Sequence, residues 1–364
     1  MSDRKHRIAI VGTGGIARSH ARAVTSHPDR AELVAAVDVD LDRAKEFAAA
    51  WDIPAVYPSL TELLAAGGVD LVHLCTPPNS HVPLAVECLA AGVDVFMEKP
   101  PTLSLDELDE LIDAEAKSSA QVACVFQHRF GSGAVRLRRL ADEGVLGRPL
   151  VALCNTVWYR DDAYFAVPWR GTFEVEGGGP TMGHGIHQFD LLLSILGPWQ
   201  KVTALAARQA RPTQTEDVSM ALVTFENGAV ASVVNSLVSA RQTSQLRFDY
   251  ENATVELEHL YGYKDENWSV TPAPGQEAVA TAWSADAVDV PSGHAAQYAA
   301  VLDALTSGAP TPVTLAEARN TLELAAAIYA SSFTDKPVYR GELLQGTPYA
   351  SRMGGPGAPW SSTP

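Results

Sequence analysis

The run RIAIVGTGGIA at residues 7–17 restricts the fold more than any other stretch of the chain. RIAIV is a short apolar segment that reads as a strand. Gly12-Thr13-Gly14-Gly15-Ile16-Ala17 follows it and opens a helix expected over 16–25. This is G-x-G-x-x-A spacing in the strand–turn–helix context that gives it meaning. Gly12 permits the tight turn, Gly14 clears the approach of a pyrophosphate, and Ala17 lets the helix pack close to the strand. The helix N-terminus then faces the phosphate charge. Asp38 stands 21 residues after Ala17, at the end of the next strand-like run. A carboxylate there accepts hydrogen bonds from ribose hydroxyls. A glycine turn without a ligand is the alternative; the joint pattern favours a dinucleotide. The Asp38 charge repels a 2′-phosphate and Val39 offers it no donor. NAD is therefore expected over NADP, although Arg43 is close enough in sequence to reach a phosphate.

The first third alternates strand and helix. Strands are expected at 7–11, 33–38, near 56, 71–75, 94–97 and 121–126, with helices at 42–51, 60–66, 83–91 and 105–118 between them. Continuous apolar strands separated by helices imply a parallel sheet covered on both faces. After about residue 126 the pattern changes. A helix at 134–142 precedes longer alternating runs at 149–158, 201–208, 218–225, 229–237, 245–250 and 254–259, with Asn227-Gly228 as a hairpin turn. This half reads as an open, mainly antiparallel sheet, completed by helices at 295–307 and 315–332. The fold class is α/β. The expected organisation is a Rossmann domain over 1–126, a substrate-binding and oligomerisation α/β domain over 127–340, and a Gly/Pro-rich tail over 341–364. That tail is expected to be disordered or draped over a neighbour.

Composition narrows the function classes. Asp plus Glu total 43 against 27 Lys plus Arg, a net charge of −16. Such a chain is a poor partner for nucleic acid or an anionic membrane. No apolar run approaches the ~20 residues of a membrane span, and the start does not read as a signal peptide, so a cytoplasmic protein is expected. Cys75, Cys88, Cys124 and Cys154 lack metal or disulfide spacing and are expected to be reduced and buried.

Two further loops fall at strand C-terminal ends, where open α/β sheets bind ligands. In CTPPNSH, Thr76, Pro77, Asn79 and His81 form a stiff loop able to wall the nicotinamide ribose; a helix-entry turn with a surface histidine is the plainer reading. In MEKPP, Glu98 and Lys99 precede two prolines, a sequence that favours a cis bond. Lys99 is suited to bond a substrate oxygen; a surface ion pair is the alternative.

In this order the motifs GTGGIA, Asp38, CTPPNSH, EKP and GGG…H…D (177–190) resemble the glucose-fructose oxidoreductase / inositol dehydrogenase / MocA (Gfo/Idh/MocA) family across both halves of the chain. The resemblance implies NAD or NADP as cofactor and a sugar, inositol or related polyol as substrate. It also implies a homodimer or homotetramer formed through the C-terminal sheet. It assigns Lys99 to cofactor and substrate contact, His187 to the acid/base position, and Gln127 to the border of the nicotinamide. Where the family pattern has an aspartate, this chain has Gly183, which leaves the orientation of His187 open. His184, Asp190 or the substrate itself are the candidates to replace it; that Asp190 anchors the helix instead is its plainer reading.

The stretch EGGGPTMGHGIHQFD (176–190) is expected to turn at the glycines and start a helix near Thr181 or Met182. Zinc-type histidines fall at i and i+4 around a glutamate; here they fall at i and i+3 without one, so no metal is expected. Proton transfer suits histidine, whose ordinary pKa is about 6.5. A hydrogen-bonded structural pair is the plainer alternative. Upstream, Arg160, Tyr164, Trp169 and Arg170 offer ring faces and guanidinium groups for a sugar, or form an ordinary loop or subunit contact. The leading expectation is a dehydrogenase of CH–OH groups. The alternatives are glycoside cleavage through transient oxidation and a non-catalytic NAD-binding sensor.

Overall fold

The computed structural model describes residues 4–285 and 288–362. The chain forms two compact units. The first comprises the chain up to Thr102 with Glu107–Val125 and His294–Ala318. The second comprises Leu103–Asp106, Phe126–Gly293 and the chain from Arg319 onward.

The first unit is built on β1 (His6–Val11), β2 (Ala31–Val37), β3 (Ala55–Tyr57), β4 (Leu71–Leu74), β5 (Asp94–Met97) and β6 (Val122–Cys124). Their order is β3-β2-β1-β4-β5-β6 and every pairing is parallel. Ile8, Ala9 and Ile10 are fully buried, as continuous apolar strands must be when helices cover both faces. Local chemistry sets the helix starts. The Asp40 carboxylate accepts from the Arg43 amide at the head of Leu41–Ala50, and Ser59 caps Leu60–Ala66 in the same way. One expectation is overturned. Helix His294–Ser307, expected to complete the second half, packs Tyr298, Val301 and Leu302 against Ile8, Leu71, Phe96 and Val125 of this sheet. Its apolar stripe marks a buried helix but not which sheet buries it.

The second unit holds an eight-stranded sheet: β7 (Pro149–Tyr159), β8 (Trp199–Ala207), β9 (Val218–Phe225), β10 (Val230–Ser236), β11 (Val238–Tyr250), β12 (Ala253–His259), β13 (Trp268–Pro272) and β14 (Val338–Tyr339). The order is β13-β12-β11-β7-β10-β9-β8-β14. All pairings are antiparallel except β7 with β10, so the sheet is mixed, mainly antiparallel. The expected hairpin is present: Gly228, at φ +89°, closes the turn with its amide on the Phe225 carbonyl at 3.0 Å. β11 begins well before the expected 245, and the short β13 and β14 carry too little alternation to be read from sequence. On β9, Ala221, Val223 and Phe225 face the core, while Met220 and Leu222 stay 50% and 67% exposed. Met220 pairs with Leu205, itself 62% exposed, so one face of the sheet carries an open apolar patch.

The tail, as far as residue 362, is described and packs on its own unit. The Trp360 indole donates to the Gln214 carbonyl at 2.9 Å and its ring meets Phe333 edge-on, within the same unit. All four cysteines are buried free thiols. Among the described residues no helix is long and apolar enough to cross a membrane.

Candidate active site

In the first unit, the glycine loop closes tightly over the end of β4. Gly12 adopts φ +86°, and a Cβ there would fall 2.9 Å from the Cys75 carbonyl carbon and the Thr76 nitrogen. Only glycine fits. Gly14, Gly15 and Ile16 are exposed at the head of helix Ala17–Thr25, which has no side-chain cap. Ala17 is fully buried against the sheet. The arrangement offers backbone N–H groups and a helix N-terminus to an anion. Thr76, Pro77 and Asn79 lie at the neighbouring strand end, half-buried to exposed.

Asp38 sits beside this loop at the end of β2. One carboxylate oxygen accepts from the Thr13 amide (2.8 Å) and hydroxyl (2.9 Å) and from Arg43 Nε (3.1 Å). The other accepts from the Asp40 amide (2.9 Å) and Arg43 Nη2 (2.5 Å). Burial pushes the carboxyl up, but Arg43 and the neighbouring amides outweigh it and bring it down to about 2. Asp38 is thus a fixed anion, and Arg43 is the group a ribose would have to displace. A groove of about 630 Å³ opens alongside, lined by Thr13, Gly14 and Gly15 with Arg18, Arg22 and Arg43. Arg18 and Arg22 were not expected from sequence. They lie four residues apart on one helix, the one spacing that would have flagged them.

Two expected nucleotide contacts are corrected. His81 is fully buried, with Nδ1 3.0 Å from the Pro100 carbonyl and Nε2 3.0 Å from the Thr76 carbonyl. Its ring braces the two ligand-facing loops against each other and has no nitrogen left for a cofactor. The Glu98 side chain turns inward. Oε1 faces His20 Nε2 at 3.0 Å and His294 Nε2 at 2.8 Å, and Oε2 accepts the Lys99 amide at 3.1 Å. Burial pushes Glu98 up, but the two histidine N–H groups dominate and hold it well below the usual carboxylate range. Burial also lowers the pKa of His20 and of His73. With His20 Nε2 donating to Glu98, its Nδ1 accepts from His73 Nδ1 at 3.1 Å. His20, Glu98 and His294 have ligand atoms within 4.8 Å of one another, close enough to hold a metal. Their mutual hydrogen bonds account for the cluster without one. Lys99 itself is half-buried and joined to Pro100 by the expected cis bond.

In the second unit, helix Phe173–Glu176 ends at Gly177 in the left-handed conformation. The expected helix then begins as a π-turn, Thr181–Gly185, and becomes α-helical over Ile186–Leu196. The turn is held by Glu216, a residue sequence reasoning missed. Its buried carboxylate accepts from the Gly179 and Thr181 amides, both at 3.1 Å, and from the Tyr329 hydroxyl at 2.8 Å. A Cβ at Gly179 would lie 2.0 Å from the Glu216 carbonyl oxygen, which accounts for that glycine. Burial outweighs the three donors and pushes the Glu216 carboxyl up. At 35 to 37 residues from the turn it holds, it gives no local signal.

His184 and His187 are 8% and 4% exposed. The His187 ring lies 5.2 Å from His128 and 5.7 Å from Tyr261. Gln127 donates to the Tyr261 hydroxyl at 2.6 Å, so the QHR segment builds the wall beside His187. His184 meets Trp158 at 5.1 Å and Tyr164 at 6.1 Å. Arg170 lies over Tyr164 (4.0 Å) and Trp169 (4.4 Å), and pairs with Glu176 at 3.2 Å. Tyr164, Trp169, Arg170 and His184 are thereby brought together, with Arg160 over Trp158.

Asp190 lies on the same helix as His187. It is fully buried and takes Arg129 through two bonds, 2.8 and 2.6 Å, with the Thr321 hydroxyl at 2.8 Å. It anchors the histidine-bearing helix. At Gly183 a Cβ meets nothing within 4 Å, so the space is open there.

Comparison with known proteins agrees with this architecture. Residues 6–126 match the model of an oxidoreductase family with an NAD-binding Rossmann fold, and residues 134–256 match the GFO/IDH/MocA C-terminal domain. D-glucoside 3-dehydrogenase of Escherichia coli K12 is 29% identical over 286 residues, covering 72% of this chain and 80% of that protein. Inositol 2-dehydrogenase 4 of Saccharopolyspora erythraea is 29% identical over 350 residues, covering 87% and 98%. The structure of the WlbA dehydrogenase of Bordetella pertussis in complex with NADH and UDP-GlcNAcA is similar at a TM-score of 0.81 and 26% identity, covering 92% of this chain and 99% of that one.

Proposed function

Since the chain belongs to the Gfo/Idh/MocA oxidoreductase family, we propose that it oxidises a secondary hydroxyl of a sugar, sugar derivative or inositol-like polyol. NAD, when bound, supplies the hydride acceptor. The observation that carries this reading is His187: a buried imidazole walled by His128 and Tyr261, on a helix fixed by Glu216 and Asp190. A histidine held this way is suited to take the hydroxyl proton as hydride leaves. Lys99 is assigned to the developing oxyanion, where a fixed cation lowers the barrier. The exposed stretch Gly14–Ile16 at the helix head would hold the pyrophosphate, and Asp38 the ribose diol. The Asp38 carboxylate supports NAD over NADP, because a 2′-phosphate would meet it in repulsion. The apolar patch of Leu205, Met220 and Leu222 supports self-association through the open sheet face into a homodimer or homotetramer. Buried free thiols fit a reducing compartment such as the cytoplasm.

Purified protein with NAD and a panel of sugars and inositols should show absorbance growing at the reduced-nicotinamide wavelength. His187→Ala and Lys99→Met should each abolish it while NAD binding is retained. Near-wild-type turnover in both variants would sink the assignment. Bond cleavage of a glycoside without accumulating NADH would point instead to transient oxidation.

A further inference from the structure

Arg160 is the cation whose charge the second unit leaves unanswered beside the histidines. It follows β7 directly, its amide fixed on the Leu237 carbonyl at 2.9 Å. Its guanidinium stacks over Trp158 at 4.9 Å and Tyr164 at 5.3 Å, the two rings that meet His184. The Trp158 ring is itself pinned, its Nε1 donating to Ser244 Oγ at 3.0 Å.

The acids next to Arg160 are all engaged elsewhere. Asp161 caps the following short helix, accepting the Tyr164 amide at 3.0 Å. Asp162 pairs with Arg211 at 2.7 Å, and Glu176 pairs with Arg170. Among the described residues no carboxylate pairs with Arg160. One Nη hydrogen goes to the Tyr159 carbonyl at 2.9 Å. The Tyr164 hydroxyl is a second polar neighbour of the guanidinium; an arginine has five N–H donors, so these two neutral partners leave part of the fork for a ligand and none of its charge answered. A chain of net charge −16 has acids to spare, yet the three neighbouring ones are bonded to other groups and this arginine is left stacked on the rings beside His184. A planar fork held in place by two rings matches carboxylate or phosphate oxygens in a bidentate geometry.

We propose that the substrate carries an anionic group, a carboxylate or a phosphate on the sugar or polyol, and that Arg160 reads it. The assignment rests on the dehydrogenase reading above and narrows it: the hydroxyl oxidised is near His187 and the anion lies toward Arg160.

Matched probes test it: glucose, glucuronate and glucose 6-phosphate, assayed with NAD for turnover and, separately, for binding by thermal shift. One of the two anionic sugars should exceed glucose in kcat/KM by about 10-fold or more, the usual scale for a charge-assisted contact. Which of the two leads distinguishes carboxylate from phosphate. Arg160→Gln should lower the anionic-to-neutral ratio by about 10- to 100-fold, and Arg160→Lys should restore part of it. An unchanged ratio in Arg160→Gln, or a wild-type protein that binds and turns over glucose as well as either anionic sugar, overturns the proposal. So does a wild-type protein that binds neither anionic sugar better than glucose, whatever its turnover. Anion-selective binding lost in Arg160→Gln, with no turnover of any probe, keeps the anion site and fails the dehydrogenase reading instead.

Discussion

Asp190→Asn should destabilise the second unit strongly while leaving the chemistry of His187 intact. Asp190 is fully buried, and the Arg129 side chain opposite it is only 11% exposed. Their two bonds, at 2.8 and 2.6 Å, form a fork, and the Thr321 hydroxyl fills a further acceptor site. Asparagine keeps one acceptor oxygen but turns an NH2 toward donors and removes the negative charge that faces the buried Arg129 guanidinium. Breaking one partner of a buried pair costs about 3–5 kcal/mol, and the retained oxygen places this change near ~3. For a unit of roughly 200 residues, that corresponds to a fall in Tm of about 6–12 °C. Urea unfolding of wild type, Asp190→Asn, Arg129→Met and the double variant measures the coupling directly. The pair should show a coupling energy above ~1 kcal/mol. The fraction that remains folded should keep the wild-type pH profile, because the proton acceptor is untouched. A stability loss below ~1 kcal/mol, or additive single effects, would refute the anchoring argument. A collapse of kcat without loss of stability would make Asp190 part of the chemistry.

Three further outcomes are expected. Asp38→Ala should lower kcat/KM for NAD and raise it for NADP, moving their ratio by about 10-fold or more, since it removes the repulsion and frees Arg43; steady-state kinetics with both cofactors checks it, and an unmoved ratio would show that the carboxylate does not discriminate. Glu216 has a folded pKa raised above its ordinary value, so the folded state binds its proton more tightly than the unfolded chain. Its contribution is full below the ordinary glutamate range and declines as pH rises through the folded value. The stability of wild type relative to Glu216→Gln should therefore fall with rising pH across that window, and a flat difference in urea midpoints would contradict it. Leu222→Asp should shift the protein to a smaller species by light scattering, by placing a charge in the apolar sheet face; an unchanged mass would exclude that face as the contact.

The parts legible in sequence were those whose chemistry is local. The glycine loop, the Asn-Gly hairpin and the period-two pattern of β9 each place their demand within a few residues, and each is found as expected. The histidine stretch was legible only in part. Its glycines announced a turn, but the π-turn arises from packing against Glu216 and Asn235, far along the chain. Glu98 and His81 were misread for one reason. A polar residue at a strand end points toward ligand or interior according to its partners, and those partners, His20, His294 and Pro100, are separated from it by 19 to 196 residues. Asp190 as a helix anchor was legible, but its partner Arg129, 61 residues away, was not. Periodicity tells that a surface is buried; it does not name what buries it.

The return of residues His294–Ala318 to the first unit bears on how this fold can be cut and recombined. A fragment ending at residue 126 would carry the whole nucleotide motif yet lose Tyr298, Val301 and Leu302 from its core, and with them His294 from Glu98. It would also lose Val313, whose carbonyl accepts the Cys124 amide beside the edge strand β6. The nucleotide-binding half is therefore not an exchangeable cassette. Any recombination that trades it between relatives must carry a second, distant segment, and a ribosome must complete most of the chain before that half can close.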